Sequence, residues 1–232
     1  MNVPFGAARS AYCLDRLGVE ALAEHLGKDV RDLDWRRDDM QRDALFFAHL
    51  LDTNDVYVSL RNACAVSMSL DWLSERALRR DLTGAKLPRG TRPADGDLVP
   101  IPDAYATVTA GATYTFSIEL DRGTVEEKRV RHKIVAYGEW VSSGAYAAHL
   151  PSPAPRVLFV VAGTNTAARV ERLLRWCEGE GGRSLFWFAE HADVVSADIL
   201  RDPIWTVAGG SVPQRLLDTV RVTGARALPR VL

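Results

Sequence analysis

Pro102-Asp103-Ala104-Tyr105-Ala106-Thr107-Val108 and Tyr114-Thr115-Phe116-Ser117-Ile118-Glu119-Leu120-Asp121 are the two stretches on which the fold turns. Both are rich in β-branched and aromatic residues and are bounded by proline or glycine, so Ile101 to Val108 and Tyr114 to Leu120 read as strands joined at the Gly111 turn. Arg122-Gly123-Thr124 breaks the second strand. A period of two puts Glu119 and Asp121 on one face, where Asp103 from the neighbouring strand could meet them. Converging carboxylates repel unless a cation or proton intervenes. The spacing therefore points to a hard divalent ion, Mg²⁺ or Mn²⁺, held by Asp103, Glu119 and Asp121. The competing reading is ordinary strand-end acids in solvent.

The next segment, 125–142, has helical period, with Val130, Ile134, Tyr137 and Val141 on one face. Lys133 lies on the flank of that face and can reach the sheet, while Lys128 falls on nearly the opposite side. An ammonium there could orient water or stabilise charge on a phosphorane, or it could form a plain salt bridge to Glu119 or Asp121. Glu75 could add a further acid, or pair with Arg79 at i+4. Tyr105, Tyr114 and Tyr137 are available nucleophiles, and nothing in the sequence singles one out.

Outside this centre, residues 9–27 predict a helix that buries Leu14, Leu17, Leu22 and Leu26 and ends at Gly27. Residues 28–43 are dense in charge and read as a linker. Residues 44–63 predict the strongest helix, with Phe46, Leu50, Thr53, Tyr57 and Leu60 on one stripe and His49 at its edge, either half-buried and satisfied or catalytic. Residues 66–82 suggest a strand running into a helix. Arg76, Arg79, Arg80, Lys86, Arg89 and Arg92 then form a basic stretch leading into a loop that could guide a phosphate backbone, or could simply be solvated. Arg122 is a further candidate DNA contact. Val157 to Val161 is a continuous apolar run, expected of a strand buried on both faces. A helix from Ala167 to Cys177, capped by Thr164 to Thr166, and a strand from Ser184 to Ala189 follow. The order predicts an α/β chain with a mixed central β-sheet flanked by helices.

The net charge of −1 gives no global attraction for nucleic acid, so any such contact must be local. Lysine occurs only at 28, 86, 128 and 133. Three scattered cysteines match neither a zinc site nor a disulfide framework. With no signal peptide and no apolar run of membrane length, the expectation is a cytoplasmic protein without membrane contact.

Four segments together resemble the replication-relaxation family of plasmid and mobile-element proteins: Tyr12-Cys13-Leu14-Asp15-Arg16-Leu17-Gly18, His49 to Val56, Trp72 to Arg79, and Pro102-Asp103-Ala104 with Glu119 to Thr124, Lys133 and Tyr137. The last of these is also similar to the PD-(D/E)xK nuclease core, with Asp121 where that motif carries lysine. The resemblance implies a restriction-endonuclease-like core, and catalytic roles for Asp103, Glu119, Lys133, Glu75 and His49. It implies DNA, and replication proteins, as partners. It makes Lys133 the substitute for the strand lysine. Family members begin with a winged helix, so residues 1–43 are expected to be a remnant of one plus a linker, ahead of a nuclease-like domain over 44–232. Two functions follow: a metal-dependent nicking endonuclease, or an inactive nuclease-fold module that binds DNA or a replication partner.

Overall fold

The computed structural model describes residues 12–33, 35, 44–87, 98–150, 152, 155–181 and 184–217. The chain divides into two units, residues 1–47 and 48–232. In the first, helix α1 (Arg16–Leu26) starts at Asp15, whose side chain accepts from the Gly18 N–H, and stops at Gly27 in the left-handed region. Its buried line is Val19 and Ala23, spaced one helical turn apart. The expected leucine stripe is thereby corrected: Leu14, Leu17, Leu22 and Leu26 are all exposed, Leu14 preceding the helix, Leu17 lying opposite the Val19–Ala23 line and Leu26 falling in its last, outermost turn.

Helix α2 (Ala44–Ala63) begins near the division and carries Thr53, Val56 and Leu60 inward. Of the expected stripe, Leu50 and Tyr57 are exposed instead, although the Tyr57 ring meets the edge of Trp72. Then come β1 (Ser69–Ser74), α3 (Glu75–Asp81), β2 (Ala104–Ala110), β3 (Ala112–Asp121), α4 (Glu127–Ser142), the single turn α5 (Tyr146–His149), β4 (Arg156–Val161), α6 (Thr166–Gly179), β5 (Phe186–Glu190), α7 (His191–Ser196) and the two-residue β6 (Thr206–Val207).

Among the described residues, six strands stand in the sheet in chain order. β1, β2 and β3 form an antiparallel meander, β3, β4 and β5 run parallel, and β6 returns antiparallel. The sheet is thus mixed, open and flanked by helices. Helices α4 and α6 are the parallel crossovers. They pack with α3 on one face, against Tyr105, Phe159, Val161, Phe186 and Phe188. Helices α2 and α7 cover the other face, against Ala106, Phe116, Ile118, Leu158 and Val160. Coverage on both faces explains why every residue of β4 is buried.

Two features of β3 place the site. Gly111, at φ +74°, lets the β2–β3 hairpin turn sharply between Ala110 and Ala112. The register Ala104↔Ile118, carried one step further by the Asp103 N–H to Ile118 C=O bond of 2.9 Å, sets Asp103 across from Glu119. β3 also continues through Asp121, so the strand ends one residue later than the sequence pattern suggests.

Candidate active site

Glu119 and Asp121 share the α4–α6 face of β3, and both are buried. Their partners differ. One oxygen of Glu119 accepts from the Tyr137 hydroxyl at 2.6 Å and the other from the Lys133 ammonium. Lys133 and Tyr137 are four apart on α4, which is why one helical face delivers both to one carboxylate. Asp103, just ahead of β2, accepts from the Leu120 N–H at 2.7 Å through Oδ2, and its Oδ1 lies 3.3 Å from His49 Nε2 of α2. Asp103, Glu119, Lys133 and His49 are therefore brought together, with Tyr137 beneath them.

The electrostatics follow from burial. Desolvation pushes the Glu119 carboxyl up to about 7; Lys133 pulls against that shift and the nearby Asp103 charge adds to it. Desolvation also acts to raise Asp103, but the His49 hydrogen bond, the Lys133 charge and the Leu120 N–H outweigh it and bring that group below its ordinary value. For Lys133, burial alone would lower the ammonium; Glu119, Asp103 and Glu75 more than reverse this. His49 is raised chiefly by its hydrogen bond to Asp103, with Glu75 and Glu119 adding to the effect against burial. The Tyr137 hydroxyl, buried and donating to Glu119, stays protonated far above its ordinary value.

Glu75 opens α3, whose N-terminus is capped by Ser74 Oγ, 3.3 Å from the Ala77 N–H. It contributes negative field at Lys133 and His49. Its Oε1 also pairs with Arg79 at 2.5 Å, the i+4 partner that the spacing offers.

Asp121 is differently engaged. Arg169 of α6 grips it with two bonds of 3.2 and 2.8 Å, and the Gly123 N–H donates to Oδ1 at 2.5 Å. The Arg169 guanidinium lies over the Trp176 ring, 4.9 Å from its centroid. Sequence reasoning missed Arg169; a charge pair between separate elements has no periodic signature. The Tyr137 donor was detectable, being one turn beyond Lys133.

Among the proposed DNA contacts, Arg79 is committed to Glu75, and Arg122 to Asp52 of α2. Arg80 is largely exposed, 3.6 Å from Asp81, and Lys86 is exposed, while Arg76 sits within α3. Arg89 and Arg92 lie outside the described residues. The Gly163 to Thr166 turn places Asn165 at the α6 N-cap without a side-chain capping bond; the Thr166 hydroxyl bonds Glu190 instead.

Residues 2–150 match the replication-relaxation family. The chain belongs to that family. No curated protein and no solved structure matches it. The replication-relaxation match spans His49, Glu75, Asp103, Glu119, Lys133 and Tyr137, whereas Arg169 lies beyond it. Membership points to a role in replication or relaxation of plasmid or mobile-element DNA. Among the described residues, no helix is long and apolar enough to cross a membrane.

Proposed function

We propose that the protein is a Mg²⁺- or Mn²⁺-dependent phosphodiesterase with a PD-(D/E)xK-like centre that nicks plasmid or other mobile-element DNA. The observation that carries this reading is Lys133 bonded to Glu119 directly across the hairpin from Asp103. The donor set fits a hard cation. Asp103 and Glu119 present carboxylate oxygens, and each oxygen that already accepts one bond has a second lone pair. Asp103 and Glu119 are the residues that would hold the ion. When bound, such an ion polarises a phosphoryl oxygen and lowers the pKa of its water.

The side chains supply the rest. Lys133 sets a positive charge where the phosphorane gains negative charge. His49, whose imidazole is raised above its ordinary value chiefly by its hydrogen bond to Asp103, stands at the centre as the group that passes a proton to the leaving oxygen. Tyr137 fixes the Glu119 carboxylate in orientation. Arg80 and Lys86 remain exposed for the DNA backbone. The test incubates supercoiled plasmid with Mg²⁺ or Mn²⁺. Wild-type protein is expected to yield open circles, and Asp103→Asn, Glu119→Gln and Lys133→Met to lose at least about 100-fold in rate, in the range of removing one charge-stabilising group. Equal conversion by wild type and Asp103→Asn overturns the reading.

One observation favours a second reading, a binding module that does not cut. Lys133 and Tyr137 already occupy both oxygens of Glu119, an internal substitute for a cation. That reading expects DNA or a replication partner to bind without cleavage, with DNA affinity falling steeply as salt rises.

A further inference from the structure

The side of the sheet covered by α2 and α7 carries a second convergence of ligating groups, independent of the Glu119 centre. Asp52 and Asp55 are three apart on α2 and so project from one side of it. His191 opens α7 immediately after β5. One carboxylate oxygen from each aspartate and one imidazole nitrogen all lie within 4.8 Å of one another. His191 Nε2 stands 3.3 Å from Asp55 Oδ2 and 4.0 Å from Asp52 Oδ1. Metal–ligand bonds of about 2.0–2.2 Å place neighbouring donors roughly 3 to 4 Å apart, so these separations suit a shared ion.

Two further observations point to a ligand here. His191 Nε2 is shut off from solvent and has no well-aligned hydrogen bond, its nearest acceptor being Asp55 Oδ2 at 3.3 Å. A buried nitrogen left without a hydrogen bond is costly, and a bound ion is one of the few arrangements that removes the cost. Asp52 is also already oriented: Arg122 bonds its Oδ2 and leaves Oδ1 on the His191 side, as outer partners of ligating carboxylates do.

We infer that Asp52, Asp55 and His191 form a site for a single divalent transition ion, of which Zn²⁺ is the best match. The imidazole donor selects against Mg²⁺ and Ca²⁺, which prefer oxygen alone. Two carboxylates outweigh the single Arg122 charge, so a cation is still attracted. The Asp55 side chain is 46% exposed and provides the route in from solvent. Three protein ligands leave a coordination position open for water.

The test uses the full chain stripped of metal with chelator, then titrated with Zn²⁺ by calorimetry and with Co²⁺ by visible absorption. The expected result is one Zn²⁺-binding event that survives Glu119→Gln and weakens at least tenfold in His191→Ala. If that variant does not fold, Asp55→Asn, at the partly exposed ligand, serves in its place and is expected to show the same loss. Absence of Zn²⁺ binding to the wild-type chain overturns the inference, as does undiminished binding by the folded His191 or Asp55 variant. Because Glu119→Gln is expected to retain this ion while losing DNA cleavage, the two sites succeed or fail separately.

Discussion

At Glu119 a single shielded carboxylate sets a pH dependence for the whole chain. Its folded value of about 7 stands above the ordinary 4.5, so the folded state holds the proton more tightly than the unfolded one. Stability from this group is complete below pH 4.5 and is lost as pH rises through about 7. Glu119→Gln removes that contribution, and its melting temperature should vary less than wild type over the same window when followed by circular dichroism. His49 provides a local check. With its main raising partner neutralised in Asp103→Asn, the imidazole pKa should fall in an NMR titration; an unchanged value would show that the pair does not govern it. Much of this centre was legible in the sequence, because period two on a strand and period 3.6 on a helix place Asp103, Glu119 and Lys133 without further knowledge. Arg169 and His191 were not, since each meets its partners across elements far apart in the chain.

Among elements, the link between β3 and α6 is the sharpest. Asp121 and Arg169 are both nearly inaccessible, with side chains 5% and 7% exposed. Arg169→Met strands a buried carboxylate and should cost about 3–5 kcal/mol in chemical denaturation, the usual penalty for breaking a buried pair. Asp121→Asn should also destabilise the fold, yet folded molecules should cut plasmid at the wild-type rate if Asp121 serves structure alone; a loss of cleavage at full folding would return it to the metal. Long periodic or apolar elements such as α4 and β4 were readable in advance. The short α5, α7 and β6 were not, because none spans enough residues to express a period. On α1 the leucines misled: hydrophobicity marked several directions around the helix, and Val19 with Ala23 is the line that is buried.

For the whole molecule, the mixed sheet was legible from the order of segments, whereas the pairing of β1 with β2 and the antiparallel return of β6 came only from three dimensions. The second unit holds both apolar clusters, one on each sheet face. A fragment beginning at residue 44 should therefore melt in one cooperative transition, and a broad, gradual melt would show that residues 1–43 are required for folding. The β2–β3 hairpin has a last consequence, which concerns inheritance. Because it sets Asp103 opposite Glu119 and feeds straight into the helix bearing Lys133 and Tyr137, one uninterrupted stretch of gene encodes both acids, the ammonium and the phenol. Such a cassette can move between chains by a single recombination event, and the surrounding helices can diverge while the four groups stay in step.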